Sequence, residues 1–485
     1  MKSQPSKNAR TTSIRLTSVA GAGLLLLAAC SPAPADTGTE ARQAPEYIAT
    51  VILKDGQTAA SASAALGGTV IPHAVAAGGH AALAAGSDTG VAFLAFDSMP
   101  LMSQAAGEFE VVVEPNVDRF LSSATLETMK DSTVWAEGTH GSMRVNGDST
   151  VWAEGDSTVW AEGDSTVWAE GDSTVWAEGD STVWAEGDST VWAEGDFKWM
   201  PPNTALWNSI DLRDAHRQAG NFGLGVTIAV IDTGVDTQHP WLASQLDPAG
   251  LDFVDYDSDP SEEGSDSDGS YGHGTSVTGI IRQIAPRSTI LPLRALSQDG
   301  SGNVIDVVRA VYYAVSQDAD IINLSLGGPV DSYALTTALQ YAASRGVLIT
   351  STAGNEGQQR INYPGSLAAG IGNMISVTSV GASGLKSAFA NYHPGVEISA
   401  PGEVVYGPYP DNRMAAWSGT SMAAPVVAGA LALALGEDVG RRGLTADLLS
   451  EAANVYFAGN SQYGNGEQLG SGIVDVAGFL DEVLR

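Results

Sequence analysis

From about residue 200 onward the sequence predicts an α/β domain built on a doubly wound parallel sheet. Two observations carry that expectation. Apolar runs without polar alternation, such as Val226-Thr227-Ile228-Ala229-Val230-Ile231, have the pattern of strands buried on both faces. Segments of helical periodicity lie between these runs, and strands alternating with helices imply a parallel sheet covered on both sides. In such sheets ligands bind beyond the carboxyl ends of the strands, so polar residues at those ends are the candidates for function. Strands are expected over 226–231, 321–326, 347–351 and 374–377, and helices over 304–316, 333–344 and 422–435.

The chain has 485 residues, 44% of them hydrophobic, and a formal net charge of −33. That composition argues for a folded chain, and its acidity makes nucleic acid an unsuitable partner. A basic leader (Lys2, Lys7, Arg10, Arg15) precedes an apolar run from Val19 to Ala29 that is short for a membrane span and reads as an export signal. The one cysteine, Cys30, follows Leu27-Ala28-Ala29, which resembles the lipobox of bacterial lipoproteins. By that resemblance residues 1–29 are removed, Cys30 is acylated, and the exported protein meets the membrane through its lipid. An ordinary secretory signal with an incidental cysteine is the plainer alternative. Residues 30–45 read as a linker.

Residues 46–120 have the pattern of a small α+β unit. Strands are expected at 47–53, 91–96 and 111–116, with helices over 59–66 and 100–108. The octapeptide Asp-Ser-Thr-Val-Trp-Ala-Glu-Gly then occurs once at 131–138 and six times in tandem from Asp148 to Gly195. These copies hold seven of the eleven tryptophans. Ser-Thr-Val-Trp-Ala has strand propensity and Glu-Gly-Asp is a turn signal, which allows a ladder of short strands. Eight residues are few for a packed unit, so a flexible acidic spacer is the bland reading and an adhesive surface element the sharper one.

Three polar residues in the C-terminal part stand at the expected ends. Asp232 follows the first strand in Ile231-Asp232-Thr233-Gly234. His273 lies in Gly272-His273-Gly274-Thr275. Ser421 lies in Gly419-Thr420-Ser421-Met422-Ala423-Ala424-Pro425, at the mouth of a helix apolar all round. Singly, each is as well explained as a cap or a turn residue. Together they supply a nucleophile, a base to take its proton and a carboxylate to fix the base's tautomer. A serine at a helix N-terminus also has unpaired N–H groups near a developing oxyanion. Pro425 is expected in the first turn, where its missing N–H does little harm.

These motifs resemble the subtilases over most of 205–480. The resemblance implies a subtilisin-like doubly wound domain over 200–485 that hydrolyses protein or peptide substrates. Asp232 would orient the base, His273 would be the base and then the acid, and Ser421 would attack the carbonyl. Ala353-Gly354-Asn355-Glu356-Gly357 is similar to the stretch whose asparagine completes the oxyanion hole with the Ser421 N–H. Ser325-Leu326-Gly327 resembles the strand that pairs with substrate, and Gly300-Ser301-Gly302 its facing edge. Asn362-Tyr363-Pro364-Gly365 is expected in the wall of the specificity pocket. Residues 46–120 are similar to the ferredoxin-like prosegments of that family, which implies an intramolecular inhibitor removed by self-cleavage. The cut would separate the lipid from the protease, and the sequence leaves open whether it falls before or after the repeats.

No cofactor is required by this chemistry. Calcium enters as a structural ion at most. The family's calcium-ligating aspartate is replaced in His239-Pro240-Trp241-Leu242, whereas Asp252 to Asp268 holds eight carboxylates, with Asp255, Asp257 and Asp259 alternating as in a calcium loop. Pro260 stands where an EF-hand needs glycine. Rival readings are a catalytically inactive relative, an adhesin built on the repeats, and an aspartic protease. The last rests on Asp-Thr-Gly at Asp36, Asp88 and Asp232, and is rejected because the chain is not all-β.

Overall fold

Along the strand Thr227–Asp232, Ile228 and Val230 face one layer of helices while Ala229 and Ile231 face another. That two-residue alternation between two apolar layers repeats across a seven-stranded parallel sheet. Its order is Leu251–Asp252, Thr289–Arg294, Thr227–Asp232, Ile321–Leu324, Leu348–Thr352, Met374–Val380 and Ile398–Pro401. The computed structural model describes residues 200–485 except 442 and 453–457. It also describes most of 45–71, then 91–97, 110–116, 118–120, 125–128, 142–146 and six short strands between 150 and 193. Cys30, the leader, the linker and the helix expected over 100–108 lie outside the described residues.

The expected helices over 304–316 and 333–344 are Val304–Ser316 and Tyr333–Ser344, and both cover one face of the sheet. The other face carries His273–Ile284, Thr420–Gly436 and Val476–Val483. Thr289–Arg294 escaped the sequence reading because Pro292 interrupts it, and a proline removes a ladder donor from a central strand. Two of the helices approach so closely that a methyl group on Gly429 would fall 2.6 Å from Cβ of Ile284. That contact draws together the helices whose first turns carry His273 and Ser421.

Four strands between residues 47 and 115 form an antiparallel sheet ordered Thr69–Ile71, Val91–Phe96, Tyr47–Ile52, Glu110–Pro115, with the helix Ala59–Leu66 against it. Thr69–Ile71 is a strand the sequence reading lacked. Ile48, Ile71, Val91 and Phe93 join the apolar layer of the Val304–Ser316 and Tyr333–Ser344 helices, with Phe93 edge-on to Tyr312 at 5.7 Å. Polar contacts cap the same two helices. Glu114 accepts from Ser332 Oγ (3.0 Å) and from the N–H groups of Tyr333 (2.8 Å) and Ala334 (2.7 Å), while Asn116 Oδ1 accepts from Ile305 N at 3.3 Å.

Alternate octapeptides enter alternate parallel sheets. Thr150–Glu154, Thr166–Glu170 and Thr182–Glu186 form one, and Thr158–Glu162, Thr174–Ala177 and Thr190–Ala193 join Ser142–Asn146 in the other. Trp152, Trp168 and Trp184 fall in one register column. Two copies therefore add one strand to each sheet, an arrangement unlike a flexible spacer. Replacing Gly429 by alanine should overpack the contact with Ile284 and lower stability by about 1–3 kcal/mol, read as a fall in melting temperature beside wild type.

Candidate active site

Asp232, Ser325 and Asn355 lie at the carboxyl ends of three adjacent strands. Asp232 is the last residue of its strand rather than the first beyond it, Ser325 follows Ile321–Leu324, and Ala353-Gly354-Asn355 follows Leu348–Thr352. His273 and Ser421 are brought to the same place by the first turns of their helices.

Asp232 Oδ1 accepts from His273 Nδ1 at 2.7 Å, with both side chains withdrawn from water. The same oxygen accepts from Thr233 N at 2.8 Å. This bond puts the imidazole's Nδ1 proton on the aspartate side and leaves Nε2 as the basic nitrogen. His273 Nε2 has no partner among the described residues. A side chain at Gly274 would collide with the Gly234 carbonyl at 2.1 Å, so only glycine lets the two loops meet this closely. Trp417, which sequence reasoning missed, stands edge-on to the imidazole at 5.5 Å.

Ser421 Oγ donates to the Ser325 carbonyl at 3.1 Å rather than to His273. Catalysis would exchange that bond for one to Nε2, in keeping with catalytic hydrogen bonds that tighten only around substrate. Pro425 corrects an expectation: it is the sixth residue of Thr420–Gly436, not part of the first turn. Its missing N–H leaves the Ser421 carbonyl without its i+4 donor, and Ser325 Oγ donates to that carbonyl at 2.8 Å instead. The nucleophile residue is thereby held to the 321–326 segment at both ends. Asn355 Oδ1 accepts from Thr420 N and Thr420 Oγ1, each at 2.8 Å, which fixes the amide by its oxygen and determines which end is the donor.

Gly354 lies in the left-handed region at φ +110°, and Asn391 pins its carbonyl at 2.9 Å and that of Ala353 at 3.1 Å. Asn362 N donates to Ala353 O at 2.9 Å and its Nδ2 to Glu356 at 3.1 Å. Leu326 is buried, and Gly328 bridges to Tyr363 just beyond Gly327. The edge that contains Gly302 is already paired: Ser301–Asn303 runs antiparallel to Asp118–Phe120, and Gly300 turns into it at φ +83°. Thr125–Thr128 runs antiparallel to Arg413–Ser418, with Leu126 opposite Trp417, the residue that packs on His273.

The acidic stretch is neutralised from within. Asp252, Asp255 and Glu263 bring oxygens within 4.8 Å of one another, the one such group among the described residues. Arg294 is fully buried among them, bonded to Asp252, to Asp255 at 2.7 Å and to Glu263 at 2.9 Å. Burial pushes the Asp252 carboxyl above its ordinary range, against the pull of Arg294. Trp241 is buried with Met200, Val235 and Leu242. Arg294 gave no sequence signal, because it is an ordinary strand residue.

A family model described as the subtilase family matches residues 223–466. Thermitase of Thermoactinomyces vulgaris is similar at 40% identity over 221 residues, covering 44% of this chain and 75% of thermitase. The major intracellular serine protease of Bacillus subtilis (strain 168) is similar at 37% identity, covering 44% of this chain and 68% of that protein. A crystal structure of a cold adapted subtilisin-like serine proteinase has 35% identity and a TM-score of 0.44, covering 49% of this chain and 85% of that one.

Arg294→Ala would leave Asp252 buried without its cation and should lower stability by about 3 kcal/mol. Millimolar calcium should then raise the variant's melting temperature more than that of wild type, because three carboxylates lose their internal counter-ion.

Proposed function

The chain belongs to the subtilase family and is a serine endopeptidase, and from that premise we propose that Asp232, His273 and Ser421 are its catalytic triad. The observation that carries this reading is the 2.7 Å bond between two buried groups, Asp232 Oδ1 and His273 Nδ1. Nε2 of His273 takes the Ser421 proton as Oγ attacks the peptide carbonyl of the substrate. The oxyanion that forms is met by the Ser421 N–H and by the Asn355 amide, whose oxygen is anchored on Thr420. The imidazolium, held by Asp232, then gives its proton to the leaving amine. Water attacks the acyl-enzyme with the same base and regenerates Ser421. Ala353, Gly354 and Ser325-Leu326-Gly327 would hold the substrate backbone by main-chain bonds on one side, and the Gly300–Gly302 edge would do so on the other. No cofactor takes part in these steps.

Residues 46–120 act in this proposal as the protease's own inhibitor. Support comes from Glu114 and Asn116 capping two catalytic-domain helices, and from Asp118–Phe120 occupying the edge that substrate would use. The chain next pairs at Thr125–Thr128 with Arg413–Ser418, three residues before the nucleophile. Five residue steps, at most about 18 Å of chain, join the two flanks. Self-cleavage is therefore assigned to a bond between Phe120 and Thr125. The repeats would stay with the mature enzyme, and the prosegment would keep Cys30 and its lipid at the membrane of an exported protein.

Wild-type chain expressed whole should shorten to a fragment whose N-terminus lies within residues 121–125, as read by intact mass and N-terminal sequencing. Ser421→Ala should stay whole and lose turnover by roughly 10⁶-fold. A new N-terminus after Gly195 would sink the assignment of the cut, and uncut chains of both kinds would favour an inactive relative. Asn355→Leu should lower kcat by about 10²–10³ with KM little changed, the loss seen when this kind of donor is removed from a subtilisin.

A further inference from the structure

Glu262 lies outside the triad, yet its carboxylate gathers four donors from the two loops that carry it. Thr233 Oγ1 donates at 2.5 Å, Gly272 N at 2.9 Å, Thr275 Oγ1 at 2.7 Å and Thr275 N at 3.1 Å. Thr233 is the residue after Asp232, and its hydroxyl oxygen in turn accepts from Gly274 N at 3.0 Å. Gly272 and Thr275 bracket His273 at the start of His273–Ile284, a helix whose own N-cap residue supplies no side-chain bond. One carboxylate thus ties the Asp232 strand end to the first turn of the His273 helix, where N–H groups would otherwise lack partners.

We infer that Glu262 is a positioning residue for the general base, a role that rests on the triad proposed above. It fixes the Asp232 loop against the His273 helix. As an anion at the positive end of that helix, it also offsets a dipole that disfavours the imidazolium formed when Ser421 gives up its proton. Asp232 and Tyr271 are the titratable groups that interact with it, and around Tyr271 stand Asp411, Arg413 and Asp236, the last of which donates its N–H to the Thr275 hydroxyl. Burial pushes the Glu262 carboxyl up to about 7, against the hydrogen bonds from Thr233 and Thr275, so it gains its charge near neutral pH.

The test uses the full chain and a chromogenic peptide substrate, with kcat and KM measured from pH 5 to 9. Glu262→Gln keeps the size and one acceptor but removes the charge. It should lower kcat by about 10–100-fold with KM within about twofold. The acid limb of kcat/KM should also move down by about 0.5 pH unit and lose steepness. Glu262→Asp should return the limb to its wild-type position with kcat partly recovered. Thr233→Val, which cuts the link and keeps the charge, should lower kcat without moving the limb. If Glu262→Gln does not mature, the pH dependence of self-cleavage in the purified precursor reads the same limb. If it does not fold, the Asp and Val variants carry the comparison. A Gln variant with wild-type kcat and limb, altered only in melting temperature, would reduce Glu262 to a structural cap. Equal hydrolysis by wild type and Ser421→Ala would instead overturn the triad itself.

Discussion

An ionisable carboxylate and an imidazole, both closed off from water, meet at 2.7 Å, and the architecture around them is what keeps that meeting tolerable. A buried carboxylate without donors would protonate or unfold its surroundings. Asp232 therefore stands at a strand end, where the chain turns and the next backbone N–H points back at its own oxygen. The imidazole must arrive along a helix whose first turn touches that loop, which Gly274 permits and any larger residue forbids. Glycine at this point is a requirement of the bond, and the motif around His273 follows from it.

The nucleophile is governed by a second constraint of backbone chemistry. A proline six residues into a helix normally costs a hydrogen bond. Here the deprived carbonyl belongs to Ser421, and Ser325 Oγ fills the vacancy while the Ser325 carbonyl receives the Ser421 hydroxyl. One strand end and one helix start are stitched together by a pair of reciprocal bonds. The same 321–326 segment is an expected wall of the substrate cleft, so the nucleophile and the substrate's backbone partner cannot drift apart independently. Asn355 adds a third tie through Thr420.

Much of this was legible in the sequence, and the reasons are local. Apolar runs such as 226–231 and the periodic helices 304–316 and 333–344 announce themselves because each is buried on a regular face. Asp232, His273 and Ser421 were legible because glycines and strand ends flank them. Thr289–Arg294 was hidden by Pro292, and Thr69–Ile71 by its three-residue length. Glu262 and Arg294 were hidden for a different reason. Their roles depend on which of many carboxylates folds onto which loop, and no spacing rule distinguishes Glu262 from Glu263. For the octapeptides the sequence allowed a ladder of short strands but did not give its period. Eight residues are too few to pack alone, but parallel pairing between every second copy means that the packing unit is two octapeptides long.

The order of parts along the chain has a mechanical consequence. The helix caps from Glu114 and Asn116 and the strand at Asp118–Phe120 hold the proposed prosegment to the catalytic domain through groups that would survive a cut beyond residue 120. Cleavage there would remove only the covalent connection, and the cleft would remain occupied until those contacts dissociated. Inhibition would then become an ordinary binding equilibrium, weakened by anything that competes for the Ser301–Asn303 edge or for the helix termini. The Thr125–Thr128 strand, on the other side of the cut, would lose its tether to the prosegment and keep its pairing with Arg413–Ser418. A protease processed in this way would separate the chemical event of cleavage from the physical event of release. The repeats would travel with the half that leaves.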